Sequence, residues 1–371
     1  MSIKVCVIEP AGQEYGSELV LMDILRALDR NKFNLEVIIP KKCSFKRRLN
    51  QYNISELELL YINLYKGRNV WRPLSYTRII LHWIFNRPDL IIVNQAGILR
   101  GTALCNLAIR RPIICFVSTL EDADHLSKLP RWVYRKVHTL ICNSEYTAKR
   151  IRNEPVTERA QVLYLGYYPK NLFSNRPPWN PGKENNRFVI GILGRICKSK
   201  GHDVLIKSLE ILKEKGSEWL SRLDVVFIGD YQQQERGEMQ ALLAQSPINI
   251  EVTGYRENIA QELARLHLLL IPSVAEPFGR IVQEAADAGL PVIASDSGGL
   301  GEICRLFNYG RLFKYPDVAS LTRLIEETIG DYDQVLVESL GKREKFLANF
   351  CFDKIMGIIE KNVLDACRQR Q

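Results

Sequence analysis

The stretch Ile271-Pro-Ser-Val-Ala-Glu276-Pro-Phe-Gly279-Arg-Ile-Val-Gln-Glu284-Ala-Ala-Asp-Ala-Gly-Leu-Pro-Val-Ile-Ala-Ser-Asp296 decides how the chain is read. An apolar strand ends at Pro272, a loop follows, and a helix must begin after Pro277, because the residue before proline avoids helical geometry. Glu276 therefore stays on the loop, at the carboxyl end of a buried strand. Gly279 allows close backbone approach, and the free N–H groups of the next turn can bind an anion. Glu284 lies slightly more than one turn into the helix and faces the same crevice. Two acids flanking an amide cluster suit a ligand that has both phosphates and hydroxyls. The plain alternative is an ordinary strand–loop–helix with surface glutamates.

A second strand–loop–helix stands upstream, Val189-Ile-Gly191-Ile-Leu-Gly194-Arg195-Ile-Cys-Lys198-Ser-Lys200-Gly201-His. Arg195 and Lys200 project from its loop, and each can pair with several phosphate oxygens. Two cations thus end the first strand of an α/β unit, and two acids follow a later one. Crevices outside the carboxyl ends of parallel strands are where such sheets bind ligands.

The same texture extends outward. Apolar runs at 188–193, 224–228, 249–253, 268–272, 291–295 and 311–314 read as strands, with helices at 202–215, 235–243, 259–266, 280–288 and 318–329. The first half alternates in the same way. Strands are expected at 3–9, 35–40, 59–64, 89–94, 112–117, 139–143 and 161–166, and helices at 17–28, 74–85, 98–110 and 144–152. Continuous apolar runs alternating with helices argue for parallel, doubly covered sheets. Between the halves, 175–187 is rich in Pro, Gly, Asn and charge and reads as a linker. The expected class is α/β, with a Rossmann-like domain at 1–174 and a second at 188–350. A terminal helix in 351–371 has no strand after it, and it is expected to pack on the first domain.

Composition narrows the function. With 371 residues, 46% hydrophobic and 25% charged, the chain has a globular make-up. The most apolar candidate span, 76–93, is interrupted by Arg78, His82, Arg87 and Asp89, which a bilayer core rejects. Residues 1–8 read as a strand and not as a leader. Nine scattered cysteines without a C-x-x-C pair suggest reduced core residues in a cytoplasmic setting. The net charge of +9 is unevenly placed: residues 1–170 hold 26 basic against 15 acidic residues (+11), and the remainder 25 against 27 (−2). Basic clusters interleaved with aromatics at 41–48, 66–83 and 129–136 suit an anionic membrane surface, though a merely solvated basic face fits as well. No recognition motif points to nucleic acid.

These residues resemble a known family. Gly194-Arg195 with Lys200-Gly201, followed by Glu276-Pro-Phe-Gly279 and Glu284-Ala, look like the C-terminal half of family 4 glycosyltransferases, retaining GT-B enzymes that use nucleotide-diphosphate sugars. Ser144-Glu-Tyr-Thr, Tyr164-Leu-Gly166, Ile228-Gly-Asp230, Val252-Thr-Gly254 and residues 291–302 match as well. The first domain matches more weakly, through Gly12-Gln-Glu-Tyr-Gly16-Ser-Glu18.

The resemblance implies two facing Rossmann-like domains with a cleft between them, and the following roles. Arg195 and Lys200 hold the donor pyrophosphate and offset charge on the departing nucleoside diphosphate, with Glu276 on the donor sugar as the third catalytic residue. Glu284 binds the ribose hydroxyls. The amides after Phe278, at Gly279, Arg280 and Ile281, support sugar or phosphate, with Gly194 and Gly254 lining the same site. The Gly16 loop closes over the donor from the other domain. No obligatory metal and no cofactor are implied. Many relatives carry a histidine after the strand at 112–117; here Leu120 stands at that position, and His125 either substitutes for it or is a surface or helix-start histidine. Asp122-Ala-Asp124 mimics a metal-binding pair but sits in the wrong domain for a donor. His82, His138, His202 and His267 read as structural.

The function this implies is a retaining glycosyltransferase in cell-surface glycan synthesis, working peripherally at the inner membrane face. It would move a sugar to a lipid-linked or polysaccharide acceptor. A GT-B-fold nucleotide-sugar epimerase and a non-catalytic nucleotide-sugar-binding paralogue stay open.

Overall fold

The computed structural model describes residues 2–11, 16–40, 46, 58–61, 72–152, 157–170, 172, 178–180, 183 and 186–368, with backbone only at 58–61 and 72–75. The chain forms two compact units, one of Met1–Gly166 with Phe352–Gln371 and one of Tyr167–Cys351. Each is described by itself below.

The first unit is built on seven parallel strands: β1 (Ile3–Ile8), β2 (Phe33–Ile39), β3 (Glu58–Tyr61), β4 (Leu90–Val93), β5 (Ile113–Val117), β6 (Val137–Cys142) and β7 (Ala160–Val162). Their order across the sheet is β3-β2-β1-β4-β5-β6-β7. Side chains alternate faces along a strand, and here both faces are covered. Val5, Val7, Leu90, Ile92, Ile114 and Phe116 pack on one side with the helix Gly16–Ala27. Cys6, Ile8, Ile91, Val93, Ile113, Cys115 and Val117 pack on the other, under the helices Arg72–Asn86, Leu99–Cys105 and Leu120–Ser127.

The last helix, Phe352–Arg368, belongs to this unit. It buries Phe352, Met356, Ile359, Val363 and Ala366, one stripe at helical spacing, in the cluster around Val5 and Val7. Burial of the four larger side chains stabilises by about 1.5–3 kcal/mol each, and that of Ala366 by less. The cysteines behave as small core residues. Cys6, Cys105, Cys115 and Cys142 are buried and free, and burial raises each thiol, Cys105 and Cys142 to about 12.

The second unit has six parallel strands: β8 (Phe188–Leu193), β9 (Leu223–Ile228), β10 (Ile250–Val252), β11 (Leu268–Ile271), β12 (Val292–Ser295) and β13 (Arg311–Phe313). They are ordered β10-β9-β8-β11-β12-β13. Chain order thus reverses between β8 and β11, the doubly wound pattern.

Some elements differ from the sequence expectation. Gly298–Leu306 is a helix in spite of its Gly-Gly-Leu-Gly start, and Tyr332–Ala348 is another. Leu120–Ser127 is a third, begun by a Thr119–Asp122 capping box. The stretch expected as a linker is tied down where it is described. Trp179 is buried edge-on against Phe188, at 5.3 Å between ring centres, and its Nε1 donates to the Ile329 carbonyl at 3.2 Å.

Candidate active site

At the β8/β11 reversal the two following loops leave in opposite directions, and this opens a crevice at the strand ends. Lys200 comes from the loop after β8 and Glu276 from the loop after β11. Their ammonium and carboxylate are paired across the crevice, with the side chains 25% and 16% exposed. Ser273 Oγ donates to the same Glu276 oxygen at 2.9 Å. The pair is sheltered enough for its charges to be felt and open enough to meet a ligand.

Local backbone contacts hold this geometry. Gly201 has φ 69° and leads into the helix His202–Glu214; a Cβ there would collide with the Pro272 carbonyl. The Val274 amide donates to the Ser199 carbonyl at 2.9 Å, so the two loops touch main chain to main chain. Gly299 fixes the other flank. Its amide donates to the Glu276 carbonyl at 2.7 Å, and a Cβ on it would strike the Pro277 carbonyl.

The structure brings several of the expected residues to this strand end. Gly194 follows β8, donates to the Ile228 carbonyl at 3.0 Å and lies along the Lys200 stem. Arg195 is exposed beside it. Phe278 is buried against Phe350, so only its backbone is available to a ligand. Gly279, with φ 96°, precedes the helix Arg280–Asp287. The first-turn N–H groups of Arg280 and Ile281 have no intrahelical acceptor and form a local positive end. Glu284 accepts from Lys170 Nζ at 3.1 Å and is 12% exposed. Gly254 follows β10, close to the Asp230 carboxylate. Gly16 belongs to the first unit, where it opens the helix Gly16–Ala27; residues 12–15 before it lie outside the described residues.

Two features escape a sequence reading. Asp287, one turn after Glu284, is fully buried. It accepts from the Tyr167 hydroxyl at 3.0 Å, the Lys170 amide at 2.7 Å and the Arg343 guanidinium at 3.1 Å. It anchors the helix that presents Glu284. The acid three residues after Glu284 on the quoted stretch was the available signal, but its partners come from distant positions. Burial first, then the Asp287 and Glu284 charges, push the Tyr167 hydroxyl well above its ordinary range, so it stays a donor.

The first unit carries its own polar pair at its own reversal, between β1 and β4. Asn94 Nδ2 donates to the fully buried Glu9 at 2.5 Å, and the Ala11 amide donates to the other Glu9 oxygen at 2.7 Å. Gln95 reaches the buried Glu18 at 3.3 Å. An acid directly after a buried strand is the signal that marks Glu9.

The remaining titratable candidates have structural partners. Asp122 caps its helix and accepts from the Ala96 amide at 2.8 Å, and Asp124 accepts two hydrogen bonds from Arg150 at 2.9 Å each. They do not converge on one point. His125 is exposed, with Nδ1 2.8 Å from the Glu121 carbonyl one turn back. His202 is buried against Phe227, and burial lowers its pKa to about 4. His267 Nδ1 accepts from the Val189 amide at 3.0 Å. Among the described residues no group of three His, Cys, Asp or Glu is placed to hold a metal ion.

Comparison with known proteins agrees with this layout. The family model Glycosyltransferase Family 4 matches residues 15–170, and Glycosyl transferases group 1 matches 175–345. The chain belongs to the family 4 glycosyltransferases.

Among curated relatives, the 2-deoxystreptamine glucosyltransferase of Streptomyces kanamyceticus is 31% identical over 255 residues, covering 64% of this chain and 62% of the relative. Protein CapJ of Staphylococcus aureus is 28% identical over 221 residues, 54% of each. The chain thus spans roughly half to three fifths of the length of these relatives. Among solved structures, Anabaena Alr3699/HepE in complex with UDP-glucose has a TM-score of 0.80 at 21% identity, covering 98% of this chain and 100% of that one. WaaG, a glycosyltransferase involved in lipopolysaccharide biosynthesis, has a TM-score of 0.65 at 17% identity, covering 96% and 99%. These likenesses show the fold, a GT-B pair of Rossmann-like units.

Proposed function

We propose that this family 4 glycosyltransferase is a retaining enzyme that moves a sugar from a nucleotide-diphosphate sugar to a lipid-linked or polysaccharide acceptor in cell-surface glycan synthesis. The observation that carries the proposal is the Lys200–Glu276 pair bridging the β8/β11 reversal beside the N-terminus of the helix Arg280–Asp287. Three kinds of group meet one strand end there: cations for phosphate, acids for hydroxyls, and backbone N–H groups for either.

In the proposed chemistry Arg195 and Lys200 hold the pyrophosphate and offset the negative charge that grows on the leaving nucleoside diphosphate. That is electrostatic stabilisation of the transition state, and two side-chain cations supply it without calling for a metal. Glu284 takes the ribose hydroxyls, Glu276 the donor sugar, and the Arg280 and Ile281 amides a sugar or phosphate oxygen. The acceptor hydroxyl attacks from the face the diphosphate leaves, its proton passing to the departing diphosphate oxygen as the sugar–phosphate bond breaks, so the anomeric configuration is kept.

The UDP and UDP-glucose complexes of HepE favour a uridine donor, and the link of WaaG to lipopolysaccharide favours a membrane-side acceptor. No described helix is long and apolar enough to cross a membrane, and the association proposed with the inner face is a peripheral one. The test is incubation with UDP-, GDP-, ADP- and TDP-sugars, with and without a lipid extract, while free nucleoside diphosphate is measured. Release that depends on the extract is expected, with the product anomer matching the donor by NMR. Interconversion of the sugar nucleotide without release would mean an epimerase, and no reaction with any donor would overturn the proposal.

A further inference from the structure

The sheet face that holds Cys6 and Ile8 is covered by helices that are apolar on their outer side as well. The helix Arg72–Asn86 buries Ile79 and Trp83 beneath it and exposes Leu81, Ile84 and Phe85, the last at 81%. Those three are spaced i, i+3, i+4, so they form one outward stripe. The helix Leu99–Cys105 packs directly beside it, with Gly101 against the Tyr76 ring, and Leu104 and the following Leu107 are about half exposed. Trp132, on the short helix Arg131–Tyr134 that packs on Leu99–Cys105, is also exposed. Single exposed apolar residues are ordinary, but a contiguous set over packed helices marks an interaction surface.

Charge decides what covers it. Residues 59–144 hold twelve Lys and Arg against four acids, Asp89, Glu121, Asp122 and Asp124, of which Asp122 is buried and Asp124 is paired with Arg150. The exposed Arg78, Arg87, Arg100, Arg110, Arg131 and Arg135 lie on the same helices and their ends. Of the basic stretches read from the sequence, 41–48 apart from Lys46, and 66–71, lie outside the described residues. Apolar residues interleaved with cations suit an anionic bilayer, where the side chains enter the interface and the guanidinium groups meet lipid phosphate. A second copy would set like charge against like charge, and a nucleic acid has no use for the leucines.

We propose that this face, formed by Leu81, Ile84, Phe85, Leu104 and Leu107 with Arg87, Arg100 and Arg110, docks the chain on an anionic lipid bilayer. The proposal deepens the membrane-side acceptor reading of the previous section and rests on it for its purpose, though docking is measured without any transfer step. The assay is flotation of the full chain with vesicles of phosphatidylcholine alone and of phosphatidylcholine mixed with phosphatidylglycerol, at low and high salt. The wild type is expected to float with the mixed vesicles and to be released by salt. Arg100→Gln and Arg110→Gln should each lower the partition coefficient about fivefold. Phe85→Ser combined with Leu104→Ser should lower it further. Circular dichroism confirms that each variant is folded.

A wild type that stays soluble with mixed vesicles overturns the proposal, and so do folded variants that float as well as the wild type. A wild-type dimer that Phe85→Ser converts to monomer overturns it too, since the face would then belong to a second copy. A chain that floats yet responds to no nucleotide would sink the donor-site proposal and leave this one standing.

Discussion

Replacing Asp287 by alanine should destabilise the second unit severely, although no ligand is asked to touch this residue. Its carboxylate is fully buried and compensated by the Arg343 guanidinium at 3.1 Å, the Tyr167 hydroxyl at 3.0 Å and the Lys170 amide at 2.7 Å. Arg343 also donates to the Ala286 and Asp287 carbonyls at 3.1–3.2 Å, so it would keep those acceptors while losing its charge partner. Removing one member of a buried pair typically costs about 3–5 kcal/mol. The orphaned Tyr167, Lys170 and Leu172 donors would each add about 1–3 kcal/mol if independent, but groups on one carboxylate are not additive. A loss of about 4 kcal/mol is expected, a large part of the ~5–15 kcal/mol that holds a typical domain.

Urea unfolding followed by far-UV circular dichroism measures it. Asp287→Ala combined with Arg343→Met should lose less than Asp287→Ala alone, because the stranded charge is gone. A loss below about 1 kcal/mol in Asp287→Ala, or a double variant no better than the single, would refute the anchoring role.

Two further outcomes follow from local geometry. Gly299→Ala should shift the Glu276 loop, because the obstructing atom is a main-chain carbonyl that cannot rotate away. About 1–3 kcal/mol of stability should be lost together with donor affinity, and a variant with unchanged melting temperature and unchanged binding would contradict the close approach. His202 has its pKa lowered by burial to about 4, against an ordinary 6.5, so the folded chain holds it neutral while the unfolded chain takes up a proton. Its contribution of roughly 3 kcal/mol is therefore complete above pH 6.5 and is lost as pH falls towards 4. His202→Gln should flatten that slope in urea titrations, and an unchanged slope would show that another group titrates there.

The strands are legible in the sequence because each is buried on both faces. Leu90–Val93 and Leu268–Ile271 are uninterrupted apolar runs, and the intervening glycines and prolines mark the loops. The loop residues after β8 and β11 are legible for a related reason, since strand ends at a chain reversal are where ligands sit. What local sequence hides is whatever distant contacts decide. Gly298–Leu306 has poor helix formers at its start, yet Gly299 and Gly301 are needed for close packing against Pro277 and Asp296. Tyr332–Ala348 buries only Tyr332, Val335 and Phe346 along its length; Arg343 on Asp287 and an aromatic cluster of Phe307, Phe346 and Phe350 hold it. Trp179 reads as linker until its ring is seen against Phe188. Leu120–Ser127 was within reach, because Thr119 and Asp122 have the spacing of a capping box.

Calorimetric titration of UDP, GDP, ADP and TDP into the wild type and into an Arg195→Ala/Lys200→Ala variant tests the central claim, that the β8/β11 strand ends hold a nucleoside diphosphate. At least one of the four should bind the wild type. Each lost charge-assisted contact is worth about 1.5–3 kcal/mol, so the variant should bind it at least about tenfold more weakly, with its circular dichroism unchanged. Equal affinity in a folded variant, or a wild type that binds none of the four, would contradict it.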